Sequence, residues 1–442
     1  MLKFLSICIT IVLTSFFFFP FEFVFLPGAN TKMIMAALGL VILGSSLAKK
    51  RNSVIDKDFF ILTVMATLVS LVGIAAVVIN GTSDFTFASY VVSMWVWVSA
   101  AYMVTRLMKQ VHGYLSLDLV CNYLIVVCTL QCVVAITMDN YLPLKSFVDS
   151  FLAGTGFMGK ALDDRIYGIG ANLDVAGMRF AAILCMISYL TVNTHKPLSP
   201  FMLTAYLTAY LIIAVIGNMI GRTTIVGVGL SLAYWGAMTF SKEYAEQSKR
   251  LWKFFSVSLL VFIPIIVAYY NTSPSIHSNI RFAFEGFFSL AEKGTWEVHS
   301  IEILKNMVVF PDNARTWLIG DGYFDNPYNR DPYYIGEIFH GYYKQTDIGY
   351  LRFIFYFGLT GLITLCAFMV KCATVIIYRI PEHKLLICLV LILNFIIWFK
   401  VSSDLFLIFA IFLCISKEEQ ELYNQSCIHE NNETHLLHSS HL

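Results

Sequence analysis

Seven arginines carry the first chemistry this sequence offers: Arg165, Arg179, Arg222, Arg281, Arg315, Arg330 and Arg352. A guanidinium is permanently charged, and its planar fork matches phosphate oxygens with paired hydrogen bonds. Arg222 and Arg352 are the most informative, because each is followed by a long apolar run. An ionisable group inside a membrane span costs about 2.5–3.5 kcal/mol at the centre and less near the edge, so it is expected to face a partner or a wet cavity. Any single one of the others has the alternative of snorkelling, with its stem along apolar surface and its charge at the lipid headgroups. Several arginines converging outside a membrane, with no large negative cluster beside them, point to an anionic ligand arriving from the outer leaflet. A lipid pyrophosphate fits that description.

The elements that must position these residues are membrane spans. Of 442 residues, 58% are hydrophobic and 13% charged, whereas soluble domains carry roughly 25% charge, which excludes an ordinary soluble enzyme. Thirty Lys+Arg against 29 Asp+Glu leave a net charge of +1, so there is no bulk field to recruit nucleic acid. A mean hydropathy of +0.70 indicates a chain solvated mostly by lipid, where a spanning helix needs about 20 apolar residues. Apolar runs fall at 4–26, 31–48, 59–79, 87–105, 115–138, 175–192, 199–217, 222–240, 251–270, 347–370, 384–400 and 402–416. The first lacks a small-residue cleavage site and is read as a retained helix rather than a signal peptide. The last is the shortest and carries Asp404 near its start.

Basic residues in short loops resist translocation and set the orientation. Lys49, Lys50, Arg51 and Lys57, then Arg106 and Lys109, Lys196, the cluster Lys242, Lys249, Arg250 and Lys253, and finally Lys371, Arg379 and Lys384 alternate onto one face. That face is expected to be cytoplasmic, together with both termini. The chain then divides into five spans over 1–138, a first external loop 139–174, four spans over 175–270, a large external loop 271–346, three spans over 347–416 and a polar cytoplasmic tail 417–442. The expected fold is an all-α polytopic integral membrane protein of about twelve transmembrane helices with an external helical subdomain.

The large loop is too long to be a simple connection. It holds Phe282, Phe284, Phe287, Phe288, Trp296, Trp317, Tyr323, Phe324 and Tyr333, enough aromatic area to pack a small ordered unit. Apolar spacing over 280–308 predicts short amphipathic helices, while Pro311, Gly320, Gly322, Pro327 and Pro332 break 311–335. All ten cysteines lie in expected spans, cytoplasmic connections or the tail, so no disulfide framework is expected. His429, His435, His438 and His441 sit in the polar tail, read as a solvated segment rather than a metal site. No metal or cofactor is expected.

Four stretches together resemble the O-antigen polymerases and the related O-antigen ligases. Arg165-Ile-Tyr-Gly168-Ile-Gly170-Ala-Asn172 is similar to their Arg-x-x-Gly-x-x-x-Asn stretch before a span, and Gly221-Arg222-Thr223-Thr224 to their Ser/Gly-Arg-Thr helix start. Trp317-Leu-Ile-Gly320-Asp-Gly322-Tyr precedes His340-Gly341 and Thr346-Asp347-Ile-Gly349-Tyr350-Leu-Arg352, continuing to Phe357-Gly358 and Gly361. That order resembles the Asp-x-Gly-Tyr-x-Arg and Phe-Gly-x-x-Gly pattern of polysaccharide repeat-unit polymerases, and Arg330, ten intervening residues before Gly341, matches their Arg-rich loop spacing. The likeness covers roughly 160–365. Gly341 stands where the ligase motif has Asn, Ser or Gln, which favours polymerase over ligase.

The resemblance implies a GT-C-like membrane glycosyltransferase in the bacterial inner membrane, joining oligosaccharide units carried on undecaprenyl pyrophosphate. Its partners would be the lipid-linked donor and acceptor, membrane lipids and a chain-length regulator protein, with no nucleic acid. Arg165, Arg222, Arg315, Arg330 and Arg352 would bind pyrophosphate or glycan and stabilise the leaving charge without a metal. Gly168, Asn172, Gly341 and Gly349 would shape the motifs. His340 is the candidate base for the incoming hydroxyl, since imidazole titrates near neutrality; Asp347 is the alternative base or its orienting partner. His340 packed against aromatics, and Asp347 as a helix cap beside a close-packing Gly349, are the plainer readings. Gly358 and Gly361 read first as helix-packing residues. A sister ligase, a lipid-linked sugar flippase and a membrane scaffold complete the alternatives.

Overall fold

The computed structural model of the protein describes residues 2–48, 57–153, 165–193, 198–327 and 341–425. Among these, every apolar run of the sequence forms a helix, and no strand occurs beyond isolated bridges such as Asp325 with Tyr342. In chain order the helices are α1 Leu2–Phe18, α2 Thr31–Ala48, α3 Lys57–Asn80, α4 Tyr90–His112, α5 Leu117–Asn140, α6 Leu142–Phe151, α7 Leu173–Val192, α8 Pro200–Ile220 and α9 Thr224–Thr239. They continue as α10 Ala245–Thr272, α11 Pro274–Ala283, α12 Glu285–Lys293, α13 His299–Asn306, α14 Ala314–Ile319, α15 Gly349–Arg379, α16 Lys384–Ile397 and α17 Phe406–Leu413. Seven of them, α3, α4, α5, α7, α8, α10 and α15, are long and apolar enough to cross a membrane. The protein is all-helical and membrane-embedded. The last apolar run yields α17 with eight residues, about 12 Å at 1.5 Å per residue, well short of the hydrocarbon core.

Helices dominate because lipid offers no partner for a backbone N–H or C=O. Hydroxyls inside the spans fold back on the same ladder: Thr14 Oγ1 donates to the Thr10 carbonyl at 2.6 Å and Thr105 Oγ1 to that of Ala101 at 3.0 Å. α7 is the hub, with Ala176–Val192 all buried. Small residues let α9 approach it closely, since a Cβ on Gly227 would lie 2.3 Å from the Ala181 Cα. α10 lies at the opposite extreme, with Leu260, Val261 and Ile263 exposed as an apolar face for lipid.

The bundle has two unlike ends. At one, Arg379 meets Asp58 at 3.3 Å, Lys109 pairs with Glu419, and the Tyr189 hydroxyl donates to the Glu382 carbonyl. At the other, both long connections gather, linked where Ser275 Oγ donates to Asp139 at 2.6 Å. The large connection holds α11 to α14: α12 and α13 fall in the stretch expected to be helical, and α14 falls in the stretch expected to be broken.

The span expected at 347–370 differs most from expectation. α15 runs to Arg379, and Gly358, read from sequence as a packing residue, breaks it with φ +68. The break frees two carbonyls that the loop after α14 takes up. Asp321 N donates to the Phe355 carbonyl at 2.6 Å and Gly322 N to that of Tyr356 at 3.0 Å. Both glycines also pack: a Cβ on Gly358 would lie 2.3 Å from the Leu318 carbonyl of α14, and the place of a Cβ on Gly361 is taken by the Phe357 ring.

Candidate functional site

At the loop-rich end, a cavity of about 320 Å³ is lined by Arg165, Asp174, Arg222, Tyr342, Asp347 and Lys400, with Leu173, Ser300, Ile303, Leu304 and Met307 completing its wall. Three sequence-expected residues, Arg165, Arg222 and Asp347, therefore come together. Each arrives by a local device. Gly168 sits against Gln131, whose side chain brackets Ile169 through hydrogen bonds of 2.9 and 3.0 Å. This anchors the Arg165 segment, and Asn172 then precedes α7 at the cap position.

Arg222 lies in the three-residue connection between α8 and α9. Thr224 Oγ1 holds that turn by donating to the Gly221 carbonyl at 2.8 Å, and the absent Cβ of Gly221 leaves room for the Leu173 carbonyl. Both arginines stack on one ring, their guanidinium carbons 4.8 Å (Arg165) and 4.1 Å (Arg222) from the Phe282 centroid.

Lys400 and Asp174 were not singled out from the sequence. Lys400 Nζ lies 2.6 Å from Asp174 Oδ1 and 3.1 Å from Thr223 Oγ1, and Thr223 donates to the same carboxylate at 2.5 Å. This triangle joins α7, the α8–α9 turn and the α16–α17 connection. A signal for Lys400 was present: it is a lysine at the loop-rich end of a run whose neighbours keep their basic residues at the opposite end.

Arg352 serves differently from the expected phosphate clamp. It is 7% exposed and does not line the cavity; the protein's own groups take up its two Nη groups, while its buried Nε has no hydrogen-bond partner among the described residues. Its Nη2 donates to Asp325 at 2.8 Å and to the Phe324 carbonyl at 3.1 Å, and its Nη1 donates to Ser402 at 2.9 Å and stands 3.5 Å from Asp347. The Phe324 and Tyr342 rings lie 3.8 and 4.6 Å from the guanidinium. Asp347 does not cap α15; that position is held by Ile348. Burial instead pushes the Asp347 carboxyl up to about 6, with Asp174 pushing the same way, while Arg352, Lys400 and a hydrogen bond from Tyr342 oppose the shift. Gly349 provides the expected close approach, since a Cβ there would lie 2.4 Å from the Val401 carbonyl. The Gly341 carbonyl accepts from Asn326 N at 2.7 Å.

Among the described residues, Arg315, Arg281 and Arg179 do not line this cavity. Arg315 is exposed, donating to the Ile79 carbonyl at 3.1 Å. Arg281 forms a bidentate pair with Glu292 at 2.7 Å, and Arg179 is buried, donating to the Phe18 carbonyl at 2.6 Å. Arg330 and His340 lie outside the described residues. The sequence showed no acidic cluster near the arginines, yet Arg222 meets Glu285 at 2.5 Å, and Asp325, Asp347 and Asp174 attend the other cations. Beyond Arg222 a second cavity of about 680 Å³ opens over α11 to α13. The geometry can hold an anion by Arg165, Arg222 and Lys400 while presenting one raised-pKa carboxylate to it. Comparison with family models, curated proteins and solved structures gives no match to this chain.

Proposed function

We propose that the protein polymerises oligosaccharide repeat units carried on undecaprenyl pyrophosphate, building O-antigen or a similar surface polysaccharide on the external face of the bacterial inner membrane. The observation that carries this reading is the convergence of Arg165, Arg222 and Lys400 with Asp347 on one cavity at the loop-rich end. In this account the three cations hold the donor pyrophosphate. The Asp347 carboxylate takes the proton from the acceptor hydroxyl, whose oxygen bonds to the anomeric carbon as the bond from that carbon to the phosphate oxygen breaks. The negative charge on the departing lipid pyrophosphate is met by donors already in place. A carboxyl near 6 is a stronger base than an ordinary aspartate and is still ionised at neutral pH. Arg352 positions Asp347.

The twelve-span, GT-C-like layout belongs to the same proposal, with α1, α2, α9, α16 and the whole 402–416 stretch, whose non-helical residues lengthen the short α17, completing the crossings and with the basic end in the cytoplasm. A reporter fused near residue 310 is expected to be active only outside, and one fused after Lys417 only in the cytoplasm; the reverse pattern would remove the external chemistry.

A lipid-linked sugar flippase is the second reading, favoured by the break in α15, because interrupted helices mark many transporters. Cells separate the two. Without a polymerase, surface lipids carry single repeat units; without a flippase, they carry none. The proposal expects single units on deletion of the gene, and a glycan-free surface would support transport instead. Transfer to a lipid A-core acceptor without lengthening would make the protein a ligase.

A further inference from the structure

The segment 341–347 separates the cationic cavity from another of about 350 Å³. Neighbouring tyrosines face opposite ways: Tyr342 lines the first and Tyr343 the second. This cavity of about 350 Å³ is lined by Asn80, Thr82, Asn313, Asp321, Tyr323 and Tyr343, together with Asp312 and Lys344. Its volume falls within the ~300–1,000 Å³ typical of small-molecule sites.

Its central group is held with unusual care. Asp321 accepts from Thr316 Oγ1 at 2.6 Å and from the Tyr343 hydroxyl at 3.1 Å. A carboxylate offers roughly four acceptor sites, so others remain for a ligand. The backbone around it is clamped by the broken α15 on one side. On the other, Asn80 Nδ2 donates to the Gly320 carbonyl at 3.0 Å and Thr82 Oγ1 to that of Gly322 at 2.8 Å. The break also lets α14 and its loop lie backbone to backbone on α15, where a Cβ on Gly358 would stand 2.3 Å from the Leu318 carbonyl and one on Gly320 2.5 Å from that of Tyr356. Local distortion that surrounding structure over-determines is a mark of functional sites, and a rigid support is what a recognition residue needs.

We infer that this cavity is a second sugar subsite, taking an uncharged segment of the glycan chain. The chemistry is that of neutral saccharide recognition. A carboxylate and the Asn313 carboxamide accept from and donate to vicinal hydroxyls, while Tyr323, packed on Tyr343 with ring centroids 5.3 Å apart, adds an aromatic wall for sugar C–H groups. Asp312 and Asp321 outnumber the single cation on this wall, Lys344, which disfavours an anion. Among the described residues, no group of three His, Cys, Asp or Glu is placed to hold a metal. The inference rests on the glycan-polymerising reading and assigns the growing chain a place distinct from the pyrophosphate pocket.

The test uses the full-length protein in nanodiscs, probed on an array of neutral tri- to hexasaccharides and, separately, with inorganic pyrophosphate. Wild type is expected to capture at least one neutral glycan, Asp321→Asn and Tyr323→Ala to lower that capture at least tenfold, and Arg222→Ala to weaken pyrophosphate binding while keeping glycan capture. If Asp321→Asn does not fold, Tyr323→Ala decides. Absence of neutral-glycan capture, or wild-type capture by the variants, would overturn the inference. So would calcium chloride alone raising thermal stability in wild type but not in Asp321→Asn, which would make this a cation site. Loss of pyrophosphate binding by wild type with glycan capture intact would instead count against the proposed donor pocket.

Discussion

α15 carries a buried arginine toward each end, and the two have nearly the same surroundings. Arg379 is 6% exposed, pairs with Asp58, donates to the Leu413 carbonyl at 2.8 Å and lies 5.3 Å from the Phe59 ring. Arg352 is 7% exposed and has a carboxylate, a carbonyl and a ring in the same roles. What differs is the next neighbour. Asp347, beside Arg352, also faces the cavity shared by Arg165, Arg222 and Lys400, whereas Asp58 stands at the opposite end of the bundle. A buried Arg–Asp pair is therefore a structural unit in itself, and it acquires chemistry only where its carboxylate opens onto a ligand space.

The largest expected effect breaks both pairs. Removing either arginine strands a carboxylate that keeps some solvent, with Asp325 46% and Asp58 30% exposed. The cost therefore falls below the ~3–5 kcal/mol of a fully buried pair, and Arg352→Ala and Arg379→Ala should both lower thermal stability in detergent. Turnover per folded molecule should vanish for Arg352→Ala and persist for Arg379→Ala. Equal loss in both would erase the distinction.

Asp347→Asn removes the proposed base and should lower turnover by a factor of about 10² to 10⁴. Wild-type activity should fall as pH drops through about 6 and the carboxyl takes up its proton. The linkage has a definite sign. Because the folded pKa lies above the unfolded one, Asp347 favours folding at low pH, and that contribution is lost as pH rises from about 4 to about 6. The asparagine variant should thus be inactive yet more stable than wild type at pH 7, to be checked by thermal melts at pH 4.5 and 7. A destabilised variant at pH 7 would show that the charge is better accommodated than this account allows.

Arg165→Ala and Arg222→Ala each remove a charge-assisted contact of about 1.5–3 kcal/mol, so pyrophosphate affinity should drop roughly tenfold to a hundredfold, with lysine replacements intermediate. Glu285→Gln, which frees Arg222 from its counterion, should move affinity the other way. Arg315→Ala is the smallest: an exposed side chain touching one carbonyl should change stability by less than about 0.5 kcal/mol and leave pyrophosphate binding unaltered. An effect there would enlarge the site beyond the cavity.

Hydropathy made the helices legible, because lipid imposes about twenty apolar residues and a closed backbone ladder on every crossing. It could not show the break at Gly358, since Phe357-Gly358-Leu359 is as apolar as a continuous span and the amides that fill the gap come from Asp321 and Gly322. Arg222 and Arg352 stand out by charge beside apolar sequence, and Arg165 by the motif it opens in the first long connection. Their counterions do not, because Glu285 is 63 residues from Arg222 and Lys400 is 226 from Asp174. Nor could sequence tell Arg352, committed to the protein's own groups, from an arginine open to a ligand.

The central claim is tested most directly by purified protein in sealed liposomes carrying lipid-linked repeat units, with no ion gradient, and glycan mass followed over time. The account predicts a ladder of lengthened lipid-linked glycans from wild type and no ladder from Asp347→Asn at equal abundance. Single units that never lengthen, or an equal ladder from the variant, would contradict it.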